Sequence, residues 1–364
     1  MASLSSVKFV WENLTELDLA PLRDEALQDV NIALAGTPGS GRINLADQMR
    51  RDPANPRMVS HTPVMLVDLE ETESLPGIDL VIIIVNSDKE NGSQHRDIAD
   101  RLLNRGQKVL IFINNYASME QPSVLEPWKV WDTRAIIYGD VDNVQTLHES
   151  FVPAVISMLP EILPALARSF PLFRVQVANK LINETCISNS AYSFSTGLAE
   201  MIPMLGIPLT VADIFVLTKM QAFMVYKVGL ALGLSTNWQD YVVEFGGVLG
   251  GGFLWRQTAR SLVGLIPVYG IIPKVAIAYA GTYVVGHVIL RWYLTGKHLS
   301  GAEMRALFKE AMLKGKEAAK RITRRKPKSN QTKKKIRPPI VKLRLPGRRK
   351  TDPSGADTRE DQDQ

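Results

Sequence analysis

Cysteine is nearly missing from this 364-residue chain: its one thiol, Cys186, has no intrachain partner, so no disulfide framework holds the fold. Histidine is scarce as well. His61, His95, His148, His287 and His298 are dispersed without an i,i+4 pair or a cysteine cluster, which excludes the spacing of a structural metal site. Neither a G-x-S-x-G elbow nor a paired-carboxylate motif stands out. The opening MASLSSVKFVWENLTELDL has no basic start and no apolar core, so a signal peptide is not expected and the N-terminal part should be cytosolic. Residues 303–350 hold a single aromatic, Phe308, which leaves no platform for stacking nucleic-acid bases.

What is present is divided unevenly. Hydrophobic residues make up 45% of the chain, enough for ordinary cores, and the length allows two domains and a tail. The formal net charge of +6 hides a strong asymmetry. Residues 1–302 carry 23 Lys and Arg against 29 Asp and Glu, residues 303–350 carry 19 against 3, and residues 351–364 carry 1 against 5. A basic block of this kind points to an anionic partner, lipid or nucleic acid, rather than to a property of the fold.

Four apolar runs rich in Val and Ile recur in the first third: 31–36, 63–69, 78–86 and 108–115, with a weaker fifth at 134–140. Runs that do not alternate with polar residues fit strands buried on both faces of a parallel sheet. Between them, SQHRDIADRLLNRG at 93–106 reads as a crossover helix that buries Ile98, Leu102 and Leu103 and stops at a glycine. The class is α/β.

The first run leads into GTPGSGRI, in which Gly36, Gly39, Ser40 and Gly41 precede Arg42 and Ile43 where G-x-x-x-x-G-K-(S/T) would end in Lys and Ser or Thr. VDLEE then stands where D-x-x-G would be, and IFINNYASM where N-K-x-D would be. This order resembles a small-GTPase-like G domain of the Era type over about residues 28–165. The resemblance implies a phosphate loop, a magnesium-binding hydroxyl and a guanine-reading Asp. The residues that would do this work differ. Arg42 replaces the Lys, Ile43 offers no oxygen to a metal, Asp68 is kept but Glu71 replaces the glycine, and Ala117 or Ser118 replaces the Asp. Either Asn114 or Asn115 matches the Asn of the third motif. Only about 22 residues separate Gly41 from the second run, too few for a full first switch with its own strand and metal-binding Thr. The loop is therefore expected to be the shell of a nucleotide site.

From Ser169 the composition turns to long apolar stretches with Gly and Pro. The run 201–218 has one charge, Asp213; 245–255 has none; and 275–290 is uncharged between Lys274 and Arg291. About 20 apolar residues are needed to cross roughly 30 Å of hydrocarbon, so the last could span only with its flanking cations snorkelling. Asp213 near a bilayer centre would cost about 2.5–3.5 kcal/mol. Gly229/Gly233, Gly246/Gly250 and Gly247/Gly251 have the spacing that lets helices approach closely in lipid, or else 246–252 is a glycine-rich loop. Trp238, Trp255, Trp292 and Tyr293 lie near run ends, as interfacial anchors or core aromatics would. NKLINETC, the 201–233 segment with Pro208, Asp213 and Gln221, Ile266–Gly270 and Ala280–Gly286 resemble the YcjF-like membrane-associated domain of unknown function, over about 170–300. That resemblance implies a helical domain coupled to a GTPase-like one. Asp213, Lys219, Gln221 and Lys227 are its polar candidates.

SGAEMRALFKEAMLKGKEAAKRITRRK opens with a capping box, Ser300 and Glu303, and repeats Met304, Leu307, Phe308, Ala311 and Ala318 at helical spacing. Such a helix can lie on a membrane or pack on the preceding domain.

The expected architecture is an α/β fold, a P-loop-like parallel sheet with flanking helices, followed by an all-α membrane-associated domain and a disordered basic tail. Its parts are an N-terminal extension (1–27), the G-like domain (28–168), the helical domain (169–299), the amphipathic basic helix (300–325) and the tail (326–364). The expected function is a non-hydrolysing scaffold or regulator at the cytoplasmic membrane, with the G-like domain and the tail on the cytoplasmic side and no cofactor. The alternative is a GTP-binding protein with slow hydrolysis, using GTP and magnesium. Anionic lipid bound by residues 300–350, a protein partner and self-association are the expected contacts, without specific nucleic-acid recognition.

Overall fold

Each of the five apolar runs yields a strand; the three central strands are buried on both faces, whereas the two edge strands expose Met65, Leu66 and Tyr138. The computed structural model describes residues 18–53, 55–74, 76–87, 92–116, 126–128, 135–200, 211–241 and 271–324. Helix α1 (Ala20–Leu27) leads to β1 (Ile32–Ala35), α2 (Arg42–Arg50), β2 (Arg51–Asp52), β3 (Asn55–Val59) and β4 (Met65–Val67). A 3₁₀ turn at Leu69–Ser74, β5 (Leu80–Asn86), α3 (Ser93–Asn104), β6 (Val109–Asn114) and β7 (Ile136–Tyr138) follow. The main sheet runs β4-β1-β5-β6-β7 with every pairing parallel.

Successive residues of one strand serve opposite faces of the sheet. Ile32, Leu34, Ile82, Ile84, Leu110 and Phe112 join one core with Leu45, Ala46 and Met49 of α2; Ala33, Ala35, Ile83, Val85, Ile111 and Ile113 join the other with Ile98, Ala99 and Leu102 of α3. Leu103 departs from expectation and is 43% exposed. The buried stripe of α3 is His95, Ile98, Ala99 and Leu102, at i, i+3, i+4 and i+7, and Leu103 lies about 100° further round the helix, beyond its edge. The interval between α2 and β4 also holds more than its length promised. It forms a two-stranded antiparallel hairpin of β2 and β3, separate from the main sheet. The interval, read as too short for a full first switch with its own strand and metal-binding Thr, accommodates a tight two-plus-five-residue pairing.

The described residues that follow are largely helical. Helix α4 runs through Val144–Thr146, a π-helical turn at Leu147–Phe151 and Val152–Met158; α5 (Leu163–Ser169), α6 (Arg174–Glu200), α7 (Val211–Ala231), α8 (Ile271–Thr295) and α9 (Gly301–Arg324) follow. Phe151, Leu166, Phe173, Ala178, Val228, Ala280 and Phe308 belong to the same buried cluster as Ile82 and Phe112, so the helices close one face of the sheet.

Glycines mark where these helices stop or touch. Gly233 is left-handed at φ 83°; its N–H donates to the Leu230 carbonyl and that of Leu234 donates to the Gly229 carbonyl, both at 3.0 Å. This is a Schellman end of α7, which corrects the reading of Gly233 as a helix-packing glycine. Gly229 lies under the ring of Tyr241, on the segment after α7. A side chain on Gly315 of α9 would meet the Ala276 carbonyl oxygen of α8 at 2.8 Å, and one on Gly286 of α8 would meet Ile182 of α6 at 2.6 Å. At these crossings glycine lets the helices approach more closely than a side chain would allow. Gly246, Gly247, Gly250, Gly251 and Trp255 lie outside the described residues, as do 201–210 and the tail from 325 onward. Trp238 packs edge-on against Tyr226, Tyr241 does the same against Tyr293, and Trp292 stacks on His298.

Among the described residues one helical stretch, Val275–Thr295 in α8, is long and apolar enough to cross a membrane, with mean hydropathy 1.2. Of its most apolar window, 61% is buried against the rest of the protein. Helix α9 takes the second of its two expected options. Ser300 N–H donates to Glu303 at 2.8 Å and Glu303 N–H to Ser300 Oγ at 3.3 Å, closing the capping box. Phe308, Ala311, Met312 and Ala319 are buried, so the apolar stripe is occupied by protein. Burial also pushes the Cys186 thiol up to about 12, which leaves it without nucleophilic chemistry at neutral pH.

Candidate functional site

In chain order the sheet strands run β1, β4, β5, β6, β7, so the chain first moves to one side of β1 and then to the other. In open parallel sheets the crevice at the carboxyl ends of the strands, beside such a reversal, is the usual ligand position. Many unrelated functions share the arrangement, so the side chains have to decide.

The loop Gly36–Gly41 lies at this crevice, between β1 and α2. Gly39 and Gly41 are left-handed, at φ 82° and 104°. A methyl group on Gly36 would sit 2.6 Å from Ser40 Oγ and 2.7 Å from the Ile84 carbonyl oxygen, and one on Gly41 would strike the Asn114 amide. Gly36 and Gly41 are therefore required by Ser40 of the same loop and by the approach of β5 and β6, whether or not an anion enters. Ser40 is wholly buried, and its Oγ has no hydrogen-bond partner among the described residues.

Arg42 opens α2 and turns back on its own loop. Its Nη1 donates to the Gly36 carbonyl at 2.9 Å and to the Val67 carbonyl, and its Nη2 pairs with Asp68 Oδ1 at 2.7 Å. The Arg42 side chain is only 17% exposed, against 60% for that of Asp68. A phosphate-loop Lys presents a point charge to the ligand, whereas this planar fork is already matched to two carbonyls and a carboxylate. Ile43, next on the helix, is 61% exposed and carries no donor atom for a cation. Glu71 lies in the 3₁₀ turn directly after Asp68, its N–H bonded to the Asp68 carbonyl at 3.0 Å.

Of the two asparagines, Asn114 does the structural work. It is buried at the end of β6, donates to the Ser40 carbonyl at 2.8 Å and accepts from the Val141 N–H at 3.0 Å. It thus ties the loop to the segment after β7. Asn115 is left-handed at φ 58°, a conformation that Asn tolerates, and its amide reaches Asn86 only at 3.5 Å. Ala117 and Ser118 lie outside the described residues. Sequence reading overlooked Asn86, whose amide donates to the Gly39 carbonyl at 3.2 Å. Its signal was a polar residue closing the apolar run LVIIIVN. The aromatic pair Tyr116–Tyr138, with ring centroids 5.2 Å apart, stands at the ends of β6 and β7. Burial, and secondarily Tyr116, raises the Tyr138 phenol above its usual range.

The polar candidates of the helical region gather elsewhere. Gln221 reaches Thr282 Oγ1 at 3.5 Å, to which the buried Asn189 also donates at 2.7 Å. Lys219 lies 5.5 Å from the Phe223 ring centre, and Lys227 pairs with Glu25 of α1 at 3.0 Å. Asp213 belongs to α7, but its side chain lies outside the description. Gln221 and Lys227, with Asn189, Thr282 and Glu25, join α1, α6, α7 and α8. Among the described residues no three of His, Cys, Asp and Glu cluster as metal ligands would. Compared with models of known protein families and with curated proteins, the chain finds no match.

Proposed function

We propose that the chain is a membrane-associated, GTPase-like protein that does not hydrolyse nucleotide and acts as a scaffold or regulator for a protein partner at the cytoplasmic membrane. The observation that carries this reading is the engagement of Arg42 with Gly36, Val67 and Asp68, which uses the loop's own cation where a nucleotide would need it. A second reading, GTP and magnesium bound with slow turnover, is favoured by the left-handed Gly39 and Gly41, which keep the loop's turn. Membrane attachment is supported by α8, by the apolar run 245–255 and by the 19 Lys and Arg of residues 303–350. Because the apolar stripe of α9 faces protein, lipid contact by residues 300–324 runs through Lys309, Lys316, Lys320 and Arg321 on its exposed side.

Such contact is electrostatic, about 1 kcal/mol per Lys or Arg near an anionic surface, and screened beyond roughly 8 Å at physiological ionic strength. Two extractions of native membranes separate the contributions. High salt is expected to leave the full chain bound while detergent releases it, and a chain ending at residue 324 should bind anionic liposomes less well without losing detergent dependence. Complete release by salt alone would remove the inserted component from this reading.

A further inference from the structure

We propose that Asp68 is a built-in anion that occupies Arg42 in place of a phosphate group, so that the loop holds a latent phosphate-class site closed by the chain itself. The inference rests on the reading that the unaltered loop engages no nucleotide, and it names the reason. A guanidinium removed from water needs a counter-charge, and leaving it unpaired is costlier than pairing it. Arg42 is 17% exposed, and the two carbonyls it touches, Gly36 and Val67, supply dipoles without charge. Among its bonded partners only Asp68, at 2.7 Å, brings a negative charge.

The two partners are unequal. Asp68 is 60% exposed and stands at the end of β4, where water can solvate it, whereas Arg42 is held by its own loop. Removing the carboxylate would therefore leave the cation in place beside the left-handed Gly39 and Gly41 and the buried Ser40, whose hydroxyl has no partner among the described residues. A tetrahedral oxyanion offers charge for Arg42 and an acceptor for the Ser40 hydroxyl. Asp68 is thus an autoinhibitory contact, tethering the turn Leu69–Ser74 to the loop.

The test compares full-length wild-type protein, Asp68→Ala, Asp68→Asn and the double variant Arg42→Ala/Asp68→Ala, using inorganic pyrophosphate without magnesium and potassium chloride at equal ionic strength. Pyrophosphate at ten times its Kd is expected to raise the unfolding midpoint of both single variants by about 2 °C and to leave wild type and the double variant unmoved. Asp68→Asn keeps the shape without the charge, so the test survives if Asp68→Ala folds poorly. A wild-type response equal to that of Asp68→Asn would overturn the inference, because Asp68 would then not close the site. No response in either single variant would overturn it too, while leaving the non-hydrolysing reading intact; magnesium-dependent GTP turnover by wild type would instead remove that reading.

Discussion

Arg174→Met is expected to destabilise the protein by about 3–5 kcal/mol, the cost of leaving one member of a buried ion pair without its partner. Arg174 opens α6 and pairs with Asp52 of β2 at 2.9 Å, the two side chains being 15% and 11% exposed. Its guanidinium also lies against the end of α7, where a side chain on Gly233 would meet Nη2 at 2.8 Å. The pair therefore fastens the β2–β3 hairpin to two helices. Nearby, the Ser60 and Thr62 hydroxyls donate to the Ser169 carbonyl at 3.0 and 2.7 Å, reinforcing the same junction. Asp52→Asn added to Arg174→Met should restore more than half of the loss, since the remaining amide needs no counter-charge. Urea unfolding of both variants measures this. A loss below 1 kcal/mol for Arg174→Met would mean that water reaches Asp52 freely and that the junction rests on packing alone.

Asn114→Ala should cost about 2–5 kcal/mol, because it strands a buried carbonyl and a buried N–H together. The Ser40 carbonyl and the Val141 N–H each lose the partner that Asn114 supplies at 2.8 and 3.0 Å. Asn115→Gly provides the contrast. At φ 58° glycine is unstrained and the 3.5 Å contact with Asn86 is weak, so this change should be nearly neutral. Equal effects of the two substitutions on the unfolding midpoint would show that position 114 is no clamp.

How much of this could be read from the residues depends on the range of the interaction involved. The central strands were legible because LVIIIVN or VLIFIN leaves no face for water, a property of the run itself. The capping box of Ser300 and Glu303 was legible for the same reason: its partners are three residues apart. Leu103 was misplaced because adjacent leucines on a helix differ by about 100°, and only the neighbouring sheet decides which one is covered. Gly233 looked like a packing residue from its spacing with Gly229, yet its role depends on a backbone angle that spacing does not encode. At the site the substitutions at Arg42, Ile43 and Glu71 were plain. What Arg42 does instead was not, because Val67 and Asp68 are brought to it only by the parallel pairing of β1 with β4. The choice between Asn114 and Asn115 likewise needed Val141, on the far side of β7.

Equilibrium titration of the purified full-length chain with a fluorescent GTP analogue, with and without magnesium, tests the loop most directly. With Arg42 engaged by Gly36, Val67 and Asp68 and no hydroxyl at position 43, binding should be weak or undetectable, indifferent to the base and unchanged by magnesium. Saturable micromolar binding that magnesium strengthens and Arg42→Ala abolishes would contradict this and make the loop a working nucleotide site.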